Sequence, residues 1–185
     1  MTMEHDFICL TDSTEDLQCR KAELKHWWPG WWSKVELFRD DIFREYERVI
    51  YFDLDTVIVD VVDELAKSPC DFAMLHGIRS LERRASGIMV WQGDHSEIYK
   101  QMVRHESEVL DKPNAWDQEF IAASARRHYG EMGIVQDMME GIISYKKDVQ
   151  PIGKLPDGAR VVCFHGIPRP RDVRDKWGWM KEHWK

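Results

Sequence analysis

The chain has 185 residues, and its 26 Lys and Arg against 33 Asp and Glu give a formal net charge of −7 at pH 7. One domain of this length buries about 70% of the surface its unfolded chain exposes, so it folds without disulfide or metal staples, and the acidic balance argues against a general nucleic-acid binder. No apolar run approaches a membrane span, Met1–Asp6 lacks the basic end and apolar core of a signal peptide, and Cys9, Cys19, Cys70 and Cys163 are spaced for neither zinc nor a disulfide frame, which points to reduced thiols in the cytoplasm.

The first predicted element is a buried strand, Phe7–Leu10, running into the polar Thr11-Asp12-Ser13. Four of the nine tryptophans sit in Trp27-Trp28-Pro29-Gly30-Trp31-Trp32, a loop around a Pro-Gly turn. Its rings suit either the wall of a ligand cleft or a seal onto the helix behind. Ser33-Lys34-Val35-Glu36 reads as a helix start, with Ser33 and Glu36 at capping-box spacing and Val35, Phe38 and Ile42 on one face. Lys34 in the first turn opposes the helix dipole, so it stands there either as a solvated lysine or to meet a phosphate.

Val49–Phe52 is branched and aromatic and predicts a buried strand. It runs into Asp53-Leu54-Asp55, two carboxylates one residue apart, with further apolar residues beyond. In a strand both acids face one side, and at a strand end both converge on one point. Two ionised carboxylates so close repel, and a divalent cation such as Mg²⁺ or Mn²⁺ relieves this. The alternative is a solvated turn after an ordinary strand.

Phe72–Leu75 predicts another buried strand, followed by a polar stretch, His76 to Arg84, with Arg79, Arg83 and Arg84. These arginines suit a diphosphate, a sugar or plain solvent. Ala85-Ser86-Gly87 leads into a strand at Ile88–Trp91, where Gly87 marks a bulge or permits close approach of a ligand. Ser96 to Leu110 predicts a surface helix with Ile98, Met102 and Val109 inward. Asp117-Gln118 opens a helix carrying Phe120 and Ile121, with Asp117 either as N-cap or facing a polar substrate. Ile142–Tyr145 is a short strand, Leu155–Gly158 a turn, and Val161–Phe164 a buried strand ending at His165-Gly166, with Pro168-Arg169-Pro170-Arg171 shaping the loop after it. A Trp- and Lys-rich tail, residues 172–185, carries Trp177, Trp179, Met180 and Trp184 among Lys176, Lys181 and Lys185, and suits docking back on the domain or contact with an anionic membrane.

Strands alternating with helices predict a single α/β domain over residues 1–185 with a mainly parallel sheet. Ligands of such sheets sit outside the carboxyl ends of the strands, where Asp53, Asp55 and His165 all fall, an O,O,N metal set if they meet.

In order along the chain, Ser33–Phe38, Tyr51–Asp55, Ala85–Val90, Asp117-Gln118 and Phe164–Gly166 resemble the motifs of GT-A-fold glycosyltransferases, close to glycosyltransferase family 8 and the glycogenin-like proteins. Ala85 stands where that family usually has Asn. The resemblance implies that Asp53, Asp55 and His165 bind Mn²⁺ or Mg²⁺ and that Lys34 contacts the phosphates of a nucleotide-sugar donor, UDP-linked in that family. It implies that Ser86 and Gly87 line the donor sugar, and that Asp117 and Gln118 face the sugar or acceptor near the reacting carbon, with retention of configuration. Phe52–Val57 is also similar to the haloacid-dehalogenase phosphatase motif, and a non-catalytic nucleotide-sugar-binding domain is the third reading. Phe7–Leu10 resembles the second strand of the GT-A pattern. The expectation is therefore an N-terminally shortened domain with weakened base selectivity and turnover, and an unpaired sheet edge inviting self-association.

Overall fold

The computed structural model describes residues 1–13, 15–77 and 82–184. Arg79 and Lys185 lie outside them. Strands β1 (Ile8–Thr11) and β2 (Arg20–Glu23) come first, then a 3-10 helix (Gly30–Phe38) and a turn of helix, α1 (Asp40–Phe43). Next are β3 (Arg48–Phe52), β4 (Thr56–Ile58), α2 (Asp63–Lys67), β5 (Phe72–His76) and β6 (Arg84–Gln92). Helices α3 (Ser96–Arg104), α4 (Glu106–Leu110) and α5 (Asp117–Tyr129) lead to β7 (Gly133–Ile134), α6 (Val135–Met138) and β8 (Ile142–Ser144). A π-helical turn (Tyr145–Val149), β9 (Val161–Cys163), α7 (Pro170–Val173) and α8 (Gly178–His183) complete the order. Among the described residues no helix is long and apolar enough to cross a membrane.

The architecture is mixed α/β, but the expected mainly parallel sheet is corrected. A four-stranded sheet runs β3-β6-β5-β7, a three-stranded one β4-β9-β8, and β1 pairs with β2. Pairs β1–β2, β5–β7 and β8–β9 are parallel; β3–β6, β5–β6 and β4–β9 are antiparallel. The strand that decides this is β6, which returns from β5 through a short connection and runs antiparallel to both of its neighbours, β5 and β3.

Strand alternation distributes the core. Phe72 and Met74 of β5, with Met89 and Trp91 of β6, face a cluster shared with the 3-10 helix, α3 and α5. Ala73, Leu75, Ile88 and Val90 face the opposite side, against Leu65 of α2 and Val135 of α6. A third cluster joins Val57, Val162, Phe164 and Tyr145 to the tail, where Met180 is fully buried and the Trp177 indole donates to the Tyr145 hydroxyl at 3.0 Å. The tail therefore docks on the domain.

Three local expectations are corrected. The helix expected from Ser33 is part of the 3-10 helix, and its capping box does not form. Glu36 is fully buried, pairs with Arg39 at 2.7 Å and accepts the Lys25 and His26 amides at 2.7 and 2.9 Å, while Ser33 donates to the Trp28 carbonyl. A charged, buried Glu gains more from a guanidinium and two amides than from one cap. The helix expected over Ser96 to Leu110 is interrupted at His105, which leaves the helical conformation. Trp116, not Asp117, holds the N-cap position of α5.

Candidate active-site cleft

The acidic pair lies where the chain passes from one sheet to the other. Strand β3 ends at Phe52 in the four-stranded sheet, and β4 begins at Thr56 in the three-stranded one. Main-chain bonds fix the crossing: the Asp53 amide donates to the Gly87 carbonyl at 2.8 Å, Thr56 N–H to the Asp53 carbonyl at 3.0 Å, and Phe164 N–H to the Asp55 carbonyl at 2.9 Å. Leu54, between the acids, is 91% exposed.

Four separated stretches meet at the Lys34 ammonium. Lys34, its side chain 9% exposed, places Nζ 2.8 Å from Asp53 Oδ1, 3.1 Å from Asp117 Oδ2 and 2.9 Å from Ser86 Oγ. Ser86 Oγ donates to Asp117 Oδ2 at 2.7 Å, and Tyr51 donates to Asp53 Oδ1 at 2.5 Å. Burial alone would lower the Lys34 pKa, but the charges of Asp53 and Asp117 outweigh it and raise it. The lysine is therefore a fixed cation. Burial and the neighbouring Asp53 charge hold the Tyr51 hydroxyl well above its ordinary range, so it stays a donor.

The reading of Gly87 as a bulge agrees with the pairing of β6. Met74 faces Met89 while Leu75 faces Ala85, so β6 carries extra residues at Ser86–Ile88. Bulges re-aim side chains, and here the re-aimed side chain is Ser86. Gly87 lies against the acid: a Cβ there would meet Asp53 Oδ2 at 3.6 Å, an ordinary contact.

Asp55 pairs with Arg169, from the loop after β9. Burial first, then the charge of Asp53, raises its carboxyl above the usual range, and Arg169 only partly opposes this. His165 borders the same cleft, followed by Gly166 in a left-handed turn (φ +69°) that favours glycine. Together with Gln118, these residues line one cleft of about 1660 Å³. Trp31 and Trp116 also line it, stacked with ring centroids 4.9 Å apart. The tryptophan loop thus divides its work. Trp28 and Trp32 are buried in the core, Trp31 is at the cleft, and Trp27 projects into solvent.

Two carboxylates on a cleft, one of them with a raised pKa, form a hard-oxygen donor pair of the kind Mg²⁺ and Mn²⁺ take, and to that extent the residues fit such an ion. Among the described residues, however, no group of three His, Cys, Asp or Glu side chains is gathered to hold a metal. Asp53, Asp55 and His165 share the cleft without forming the expected three-ligand set. Lys34, Ser86 and Asp117 do meet, and Asp53 joins them through the Lys34 ammonium. Of the arginines, Arg83 and Arg84 line the cleft, and Arg83 reaches Glu119 only at 3.9 Å, in solvent.

Sequence reasoning missed Tyr51 and gave Arg169 no role beyond shaping its loop. Tyr51 was findable, since residues two apart in a strand share a face. The partnership of Arg169 with Asp55 had no local signal. Compared with known proteins, the chain matches no family model and no curated protein.

Proposed function

We propose that the cleft is the donor site of a metal-dependent glycosyltransferase of GT-A type, taking a nucleotide sugar, with UDP as its nucleotide, and passing the sugar to an acceptor. The observation that carries this reading is the convergence of Lys34, Asp53, Ser86 and Asp117 from four separated stretches at the base of one cleft. Asp53 and Asp55 would hold Mn²⁺ or Mg²⁺, with His165 drawn in from the same cleft. When bound, the ion supplies charge stabilisation to a diphosphate leaving group.

The chain's own groups have separate tasks. Lys34 keeps a positive charge beside the acid pair without solvent, because it is buried and raised in pKa. Ser86 and Gly87 face the sugar from the bulge of β6. Asp117 is oriented by Lys34 and Ser86, and Gln118 beside it offers an amide to sugar hydroxyls. Arg169 and Lys34 share the charge of the acids and meet an incoming diphosphate.

The test is calorimetric titration of UDP with and without Mn²⁺, on wild type and Asp55→Ala, followed by hydrolysis of a UDP-sugar panel and of p-nitrophenyl phosphate. Metal-dependent UDP binding lost in Asp55→Ala, with UDP-sugar hydrolysis and no phosphatase activity, is the expected result. Equal, metal-independent affinity in both proteins would count against the site. Phosphate-ester hydrolysis alone would transfer the acid pair to phosphatase chemistry.

A further inference from the structure

We infer that Trp31 and Trp116 form a stacking platform for a carbohydrate, which makes the acceptor of this cleft a saccharide. The role as acceptor rests on the transferase reading above; the binding itself does not. Trp31 belongs to the 3-10 helix that carries Lys34, and Trp116 is the N-cap residue next to Asp117. Two of the groups that converge at the base of the cleft therefore each bring an indole to its wall.

The rings lie nearly parallel, at 16° and 4.9 Å, yet they remain 50% and 46% exposed. Each spends one face on the other, and both residues line the cleft. The buried members of the same loop, Trp28 at 4% and Trp32 at 6%, already anchor it to the core, so holding the loop does not require this second pair. Exposed aromatic surface lining a cleft is the usual material of a ligand site.

The neighbouring polar group selects the ligand class. Gln118, one turn-position beyond Asp117, lines the cleft with an amide that makes no hydrogen bond among the described residues. An amide offers both donors and an acceptor. A pyranose matches the pair: its C–H face is flat and apolar, and the hydroxyls at its rim both donate and accept. A purely apolar ring would leave Gln118 unused, and a linear polar chain would leave the indoles wet.

The test follows the tryptophan indole N–H signals by NMR during titration with methyl α-glucoside, methyl β-galactoside and maltose, with cyclohexanol as an apolar control. Wild type, Trp31→Ala, Trp116→Ala, Trp116→Phe and Trp27→Ala are compared, Trp27 being outside the cleft lining. The expected result is binding of at least one sugar with a dissociation constant of about 1 mM or below, weakened at least about tenfold in both alanine variants. Trp27→Ala is expected to match wild type, and cyclohexanol to bind more weakly. Should an alanine variant fail to fold, Trp116→Phe decides: a severalfold loss supports the platform and unchanged affinity overturns it. No sugar binding in wild type, tighter binding of cyclohexanol, or full binding in both alanine variants overturns it. UDP is titrated with Mn²⁺ on the same wild-type sample, so failure of the donor site and failure of the platform are read separately.

Discussion

The ammonium of Lys34 lies 2.8 Å from Oδ1 of Asp53, so the first acid of the pair already holds a cation supplied by the chain itself. The same ammonium bridges to Asp117, whose side chain is 7% exposed. Removing it leaves a buried carboxylate facing a second one. Lys34→Met is expected to lose about 3–5 kcal/mol of stability, read by urea unfolding. Lys34→Met combined with Asp117→Asn is expected to recover part of that loss, since the buried charge goes with its partner. Full stability in the single variant would mean that the cation does not hold the cluster.

Glu36 offers a second buried charge with a different job. It is fully buried, paired with Arg39, and ties the Lys25 and His26 amides to the 3-10 helix. Glu36→Ala is expected to cost about 3–5 kcal/mol through the stranded guanidinium, with Glu36→Gln losing less because it still accepts. Chemical denaturation of the two variants checks the order.

His95 sets a pH dependence away from the cleft. It is 5% exposed and packs between Phe72 and Tyr129, with ring centroids at 5.1 and 4.2 Å. Burial lowers its pKa below the ordinary 6.5. The unfolded chain therefore binds the proton more readily than the folded one. Stability from this group is intact above pH 6.5, falls as the pH drops through that value, and levels off below the lowered folded pKa. His95→Phe is expected to flatten this part of the melting temperature against pH curve. An unchanged curve would mean that His95 does not carry it.

The cysteines offer a labelling test. All four are free thiols; Cys163 is buried, while Cys9, Cys19 and Cys70 are half-buried. Burial, then the charges of Asp55 and Asp53, pushes the Cys163 thiol up to about 12. At pH 8 its thiolate is roughly one part in ten thousand. Iodoacetamide is expected to modify the other three in the native protein and Cys163 only in urea, as counted by intact mass. Rapid native labelling at Cys163 would show that β9 opens readily.

Much of the site was legible because strand ends and alternation are short-range rules. Val49–Phe52 running into two acids marked the strand end, and Gly87 read as a bulge or a close approach, from neighbouring residues alone, whereas Ser86 came in only with the family resemblance. Lys34 was singled out for sitting against the helix dipole, yet its helix is 3-10 and its partners are carboxylates from distant stretches. Strand direction was misread because the alternation of elements does not reveal which way a strand runs between its neighbours, and β6 runs against both β3 and β5. Strand β2, Arg20-Lys21-Ala22-Glu23, has no apolar alternation and gave no sequence signal; its parallel partner β1 defines it. Arg169 reaches Asp55 across a long sequence separation that no local pattern encodes.

Leu54 stands between the two acids, held by main-chain bonds on either side and almost wholly in solvent. Nothing in the packing depends on its side chain, so position 54 is an attachment point one residue from each carboxylate. A Leu54→Cys variant, in a background where Cys9, Cys19 and Cys70 are replaced by serine, would take an environment-sensitive fluorophore at the mouth of the cleft while Cys163 stays shielded. Such a probe would turn each arrival at the acid pair into an optical signal, and would allow candidate donors to be screened without knowing the chemistry that follows.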